Sequence, residues 1–279
     1  MEINCGIEIE AEYNSKIMTI NRAPHHPSGS NKIAFGKQFF VEIDGSLRAL
    51  KFKDHPVPND HPGRKELYGT AEFVSKMFPI TKYKETLDDF KEMIITLGKS
   101  KTMSDLIHFN RTTGCHIHIS LKDDNKHSFP LKDVKMSEYI LFNKLLMGKV
   151  TEKLPHVGAH FCGRFYREHA RKRNQQKARN SSWNFETAEN NHVEFRSFHL
   201  MGVETWEDLY TMFDIVFNEL SQLCQRIIKK GVTNNFIYKP EHVSNFESSR
   251  NFSPHLGENR FRRQISRNVN MILEVGSSA

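Results

Sequence analysis

The sequence predicts an α+β protein built on a mainly antiparallel sheet. Three observations predict it. Apolar and polar residues alternate with a period of two in several short segments, most of them in the first half of the chain. Helical patterns are inserted between those segments. The longest amphipathic pattern follows the last pair of strands.

The elements follow in order. Residues 2–12 alternate Ile3, Ile7, Ile9 and Ala11 against Glu8, Glu10 and Glu12, a strand. Residues 21–32 (NRAPHHPSGSNK) are loop by composition. Residues 38–43 and 48–53 read as strands around the turn Asp44-Gly45-Ser46. Residues 54–64, with three prolines, are loop again, and 67–75 (LYGTAEFVS) is a strand. Leu87, Phe90, Ile94 and Leu97 give 83–97 a helical spacing. Residues 115–121 (CHIHISL) alternate as a strand, and 137–149 read as a helix that Ser137 caps. Residues 182–187 and 192–198 form a strand pair about Glu189-Asn190-Asn191. Next comes a helix of about five turns. It aligns Leu209, Met212, Phe213, Val216, Phe217, Leu220, Leu223, Cys224 and Ile227, with Thr205 as its cap and Asp208 three residues on. Residues 1–230 are expected to be the main domain. Residues 231–279 are an irregular extension packed on it, with a short helix over 258–274.

Composition narrows the class. Of 279 residues, 38% are hydrophobic and 26% charged, enough apolar material for a sizeable core and too much for a disordered chain. No apolar run is long enough to span a bilayer, which needs roughly 18 residues. The segment MEINCGIEIE lacks the basic-then-apolar pattern of a signal peptide. Cys5, Cys115, Cys162 and Cys224 are scattered with no CxxC pair, as expected of a reduced, cytoplasmic protein. The net charge of +7 is uneven. Residues 161–180 carry seven Lys or Arg and one Glu, and Arg260, Arg262, Arg263 and Arg267 form a second cluster. Such clusters suit nucleotide phosphates, nucleic acid or acidic substrates, and equally a solvated surface.

Three strands share one design. Glu8 and Glu10 lie on one face of theirs, His116, His118 and Ser120 on another's, and Glu194 and Arg196 on a third's, each opposite apolar residues. A fourth strand offers Glu72 between Ala71 and Phe73. A solvated sheet face explains any one of these strands. Together they are nearly pure in metal-ligating and phosphate-binding types. Two like charges about 4 Å apart repel by roughly 4 kcal/mol at an effective dielectric near 20, so converging carboxylates call for counter-charge. Oxygen-rich ligation favours Mg²⁺ or Mn²⁺, and Mg²⁺ brings substrate phosphate with it. Carboxylates, cations and arginines together point to phosphoryl transfer from a nucleotide. There is neither a GxxxxGK[ST] nor a GxGxxG loop to hold one. His116 or His118 taken alone would read as a structural histidine.

The series GIEIE (6–10), EIDGSL (42–47), TAEFVS (70–75), TGCHIHISL (113–121) and NHVEFRSF (191–198), with the long helix after it, resembles the amidoligase family. These are carboxylate–amine ligases whose fold is like the catalytic domain of glutamine synthetase, and the resemblance implies a curved sheet with helices on one face. It covers roughly residues 3–228. It implies that Glu8, Glu10, Glu72, His116 and Glu194 bind divalent cations. It further implies that His118 lies on the nucleotide side and that Arg196 stabilises the transferring phosphate. Arg164 and Arg167 fall in the segment that contacts nucleotide phosphates, and Asp44 and Ser46 match a turn near the acceptor substrate. Departures are Lys76, where the family often has proline, the basic 171–180 segment and the tail after residue 230. The implied cofactors are ATP and Mg²⁺ or Mn²⁺. The implied reaction joins a carboxylate to an amine, on small molecules, peptides or proteins, through an acyl phosphate, with no protein nucleophile. Cys115 and Cys162 are then packing residues. Two other readings stand beside it: a metal-dependent hydrolase or nuclease on the same face, and a non-catalytic basic nucleic-acid-binding protein in which Phe161, Phe165 and Tyr166 stack on bases. As a ligase the protein is expected to touch nucleic acid weakly at most through 161–180, to use no membrane, and to be able to assemble with copies of itself.

Overall fold

The strand at the centre is Glu2–Tyr13 (β1), and its alternation explains its position. Cys5, Ile7, Ile9, Ala11 and Tyr13 are buried on one face, and Glu8, Glu10 and Glu12 occupy the other. The computed structural model describes residues 2–24, 32–52, 69–122, 128–129, 131, 134, 136–157, 183–184 and 192–230. Arg164, Arg167, Cys162, both basic clusters and the 231–279 extension therefore lie outside the described residues.

The other strands are Ile33–Phe35 (β2), Phe39–Glu42 (β3), Thr70–Ser75 (β4), Phe78–Pro79 (β5), Ile107–His108 (β6), Cys115–Lys122 (β7), Trp183–Asn184 (β8) and Val193–Phe198 (β9). They form one open sheet in the order β2-β3-β4-β1-β7-β9-β8, with β5 and β6 also paired to β1. Every pairing between these strands is antiparallel. The protein is thus α+β with an antiparallel sheet, as the sequence predicts.

The helices are Tyr83–Gly98 (α1), Met103–Leu106 (α2), Met136–Lys153 (α3) and Trp206–Lys230 (α4). All nine residues of the apolar stripe predicted for α4 are buried. The Thr205 hydroxyl accepts from the Asp208 N–H at 3.0 Å, the expected cap. Helices α1, α3 and α4 share one apolar core with the Ile7/Ile9 face of the sheet. Phe90 of α1 is one of its nodes, with ring centroids 5.1 Å from Phe73, 5.5 Å from Phe39 and 6.3 Å from Trp206. The carboxylate of Glu219 is fully buried where α4 meets α3 and pairs with Lys149. With one face of the sheet under helices, the chemistry-bearing residues have only the other to occupy. No helix among the described residues is long and apolar enough to cross a membrane.

The expected strand over 48–53 is a correction. Residues 48–52 join no ladder, because their backbone is bonded to side chains instead. The Arg48 N–H donates to the Thr112 hydroxyl at 3.0 Å, the Arg48 carbonyl accepts from Asn110 Nδ2 at 2.9 Å, and the Phe52 N–H donates to the Glu12 carboxylate. The Asp44-Gly45-Ser46 turn is present but joins no hairpin. Three short strands, β2, β5 and β6, have no counterpart in the sequence reading; at two or three residues they are too brief for a period to show.

Candidate active site

Cross-strand register converts the scattered motifs into a lattice. Residues directly opposite in an antiparallel pair share a face. In one row Glu42, Glu72 and Glu10 stand side by side on β3, β4 and β1. In the next, Phe40, Val74, Glu8 and His116 run from β3 to β7. In the third, Gly6, His118, Glu194 and Asn184 run from β1 to β8. Between Ile117 and Cys115 the register on β9 slips, with Ile117 opposite Phe195 and Cys115 opposite Phe198, so β9 carries an extra residue beside Arg196.

Side chains converge on this lattice. Glu8 is shared by both histidines: His116 Nδ1 lies 2.9 Å from its Oε2 and His118 Nε2 lies 2.9 Å from its Oε1. His116 Nδ1 is also 3.4 Å from Glu194 Oε1, and its Nε2 is 4.0 Å from Glu10 Oε1. Arg196 Nε is 2.5 Å from Glu194 Oε1. Three triads each bring one ligand atom per residue within 4.8 Å of one another: Glu8, His118 and Glu194; Glu8, Glu72 and His116; and Glu10, Asp44 and Glu72. The triads overlap through Glu8 and Glu72. The five residues that the resemblance implies as cation ligands, Glu8, Glu10, Glu72, His116 and Glu194, therefore lie in one constellation with His118, Arg196 and Asp44. Ser46 is exposed, and its N–H donates to Asp44 Oδ1 at 2.6 Å, fixing that carboxylate.

Two glycines leave room. A Cβ on Gly114 would lie 3.1 Å from Glu10 Oε2 and 3.3 Å from His116 Nε2. One on Gly6 would lie 3.1 Å from the Met77 sulfur and 3.7 Å from the His118 Cβ. The Gly114 N–H donates to Glu10 at 2.5 Å. The backbone thus approaches the carboxylate directly, which a side chain there would hinder.

The electrostatics is that of carboxylates short of positive charge. Burial raises the Glu72 carboxyl, and the nearby charges of Glu8, Glu10, Asp44 and Glu42 add to it, pushing it up to about 9. Burial also raises Glu10, with Asp44 and Glu8 adding to the rise against His116 and the Gly114 N–H. Burial alone would raise Glu8, but hydrogen bonds and charge from His116 and His118 outweigh it and hold Glu8 well below the ordinary carboxylate range. Burial would lower His116, and the Glu8 hydrogen bond with the charges of Glu10, Glu8 and Glu194 instead raises it. Glu72 and His116 thus both hold a proton more tightly than usual, which offsets carboxylate charge. That arrangement fits divalent cations, which would displace both protons. The carboxylate oxygens suit Mg²⁺ and Mn²⁺, while the two imidazoles suit ions such as Zn²⁺ and Fe²⁺ as well.

Two acids on this face escaped the sequence reading as site candidates. Glu42 is buried opposite Glu72. The same alternation that flagged the other strands would have found it, since Phe39 and Val41 mark the apolar face of β3. Glu12 is fully buried two residues beyond Glu10, with its carboxylate engaged by the Phe52 N–H and by Asn110 Nδ2 at 3.0 Å. Nothing in the sequence announces that engagement.

No family profile matches the sequence, and no curated protein does. Among solved structures a match is the cryo-electron microscopy structure of Plasmodium falciparum glutamine synthetase. The TM-score is 0.35 and the identity 12%, over 80% of this chain and 52% of that one. This chain spans about half the length of the protein it matches, and a likeness of that size assigns no activity.

Proposed function

We propose that this protein is an ATP-dependent carboxylate–amine ligase of the amidoligase type. The observation that supports it is the overlap of three cation-ligating triads with a guanidinium held at their edge. Glu8, Glu10, Asp44, Glu72, His116, His118 and Glu194 are the residues that would hold Mg²⁺ or Mn²⁺. Bound there, the cations would neutralise a triphosphate and the charge that develops on a transferring phosphoryl group. The order and spacing of the motifs, which resemble those of amidoligases, support the same reading.

In the reaction a substrate carboxylate oxygen attacks the γ-phosphorus of ATP and the bond to the β-phosphate oxygen breaks. ADP leaves and an acyl phosphate forms. An uncharged amine nitrogen then attacks the acyl carbon, the acyl C–O bond breaks and inorganic phosphate leaves, and the nitrogen gives its proton to solvent to leave the amide. Arg196 contributes electrostatic stabilisation of the transferring group, its fork fixed through Nε by Glu194. Asp44, its Oδ1 fixed by the Ser46 N–H, would complete the cation triad with Glu10 and Glu72.

The test is a screen of carboxylate and amine pairs for ADP release with Mg²⁺. Release that needs both partners supports the ligase. Phosphodiester hydrolysis without nucleotide, or salt-resistant nucleic-acid binding with no turnover, would replace it with the hydrolase or the binding protein.

A further inference from the structure

One of the acids on the site face is not aimed at a cation. Glu12 continues the row of Glu8 and Glu10 along β1, yet both its oxygens are spent on the chain: one takes the Phe52 N–H and the other takes Asn110 Nδ2 at 3.0 Å. Asn110 donates from the same amide nitrogen to the Arg48 carbonyl at 2.9 Å. Its Oδ1 accepts from the Thr112 N–H at 2.8 Å and from the Thr112 hydroxyl at 2.7 Å. The Thr112 hydroxyl oxygen in turn accepts from the Arg48 N–H at 3.0 Å. Arg48 closes the chain of bonds, with Nη1 donating at 2.9 Å to the carbonyls of Gly45 and Leu47, the turn that carries Asp44.

The same 110–114 turn is fastened at its other end. His199, just beyond β9, has Nδ1 3.0 Å from the Thr113 carbonyl, and the Gly114 N–H holds Glu10. Asp44 is the one member of the triads that is carried by no strand. On its upstream side Asp44 follows β3, where the Ile43 N–H donates to the Ala23 carbonyl at 2.9 Å. On its downstream side residues 48–52 make no ladder and are held by Thr112, Asn110 and Glu12, with Lys51 Nζ donating to the Ser104 carbonyl at 2.6 Å. How the turn between these two holds aims Asp44 at Glu10 and Glu72 therefore depends in part on the downstream one.

We infer that Asn110 and Thr112, buttressed by Glu12, are positioning residues that set Asp44 against Glu10 and Glu72, and so govern one cation triad without touching the others. This rests on the cation-binding reading above. Glu8, His118 and Glu194 stand on β1, β7 and β9, which hold one another by register and do not need the clasp. Outer groups that orient a ligand typically change metal affinity 10- to 100-fold when removed.

The experiment titrates Mn²⁺ into the wild-type chain and into Thr112→Val and Thr112→Ser, counting bound ions by electron paramagnetic resonance, with amide exchange of residues 44–52 read in parallel. Valine keeps the shape of threonine and loses the hydroxyl; serine keeps the hydroxyl. In Thr112→Val we expect a 10- to 100-fold weaker Mn²⁺ class, an unchanged second class, and faster exchange at Arg48 and its neighbours. Thr112→Ser should restore both. Equal weakening of all classes, or no change in either readout with the fold intact, would overturn the inference. If the wild-type chain binds no Mn²⁺, the cation reading fails; the clasp is then judged by exchange alone, which must still rise in Thr112→Val and recover in Thr112→Ser.

Discussion

A cation entering the site would compete with protons that Glu72 and His116 hold more tightly than usual, and that makes metal binding a pH measurement. Glu72 sits up to about 9, two units above pH 7, so about 1% of the group is ionised there, and freeing its carboxylate costs about 3 kcal/mol. Apparent Mn²⁺ affinity should climb about tenfold per pH unit from 7 toward 9 on account of Glu72, and then level off. His116, raised by its Glu8 hydrogen bond and its carboxylate neighbours, adds to the slope. Isothermal titration calorimetry at pH 7, in buffers of differing ionisation enthalpy, should report protons released on binding. Glu72→Gln should remove about one of them and flatten the upper part of the slope. Affinity that stays level between pH 6 and 9, with heats independent of buffer, would refute the account of how the carboxylates are balanced.

The remaining expectations are narrower. Without cations, the raised Glu72 and His116 contribute stability at low pH that is lost as pH rises, for Glu72 between about 4.5 and 9. The lowered Glu8 contributes stability above its ordinary range that is lost in acid. The melting temperature of the metal-free protein should thus fall from pH 6 to pH 8.5, and Mn²⁺ should raise it more at the higher pH. Gly114→Ala should weaken Mn²⁺ binding with the fold kept, because the added methyl meets Glu10 and His116 at 3.1 and 3.3 Å; unchanged binding would show that the neighbours yield. Lys149→Met should cost about 1–3 kcal/mol in urea unfolding, because the Glu219 carboxylate is buried while the half-exposed Lys149 is partly screened by solvent. Thr205→Ala should cost about 1 kcal/mol through loss of the α4 cap, read in the same assay.

The parts of this protein that the sequence makes legible are those governed by period. Alternation in GIEIE, CHIHIS and HVEFRS correctly assigns Glu8, Glu10, His116, His118 and Glu194 to one side of their strands, and the apolar stripe of α4 is right residue by residue. Register is not legible in that way. That Glu8 stands opposite His116, and His118 opposite Glu194, depends on how far each strand slides, which tertiary packing decides. Nor can a short-range pattern show that residues 48–52, which read as a strand, are bound by the side chains of Glu12, Asn110 and Thr112, 40 to 64 positions distant. The same blindness made Glu12 look like its neighbours Glu8 and Glu10, when its oxygens hold the chain together. Glu42 is legible by the same alternation, since Phe39 and Val41 mark the apolar face of its strand.

The central strand has a consequence for how the chain avoids its own kind. β1 is twelve residues long, apolar on one side, and needs partners from β4 and β7, which lie some sixty and more than a hundred positions further along. Until they arrive both its edges are open, the state in which strands of separate molecules pair. The glutamates at 2, 8, 10 and 12 give the unpaired segment four negative charges and no positive side chain. Two such segments repel each other in any alignment, so the residues that would gather cations in the finished protein also keep the nascent strand from aggregating.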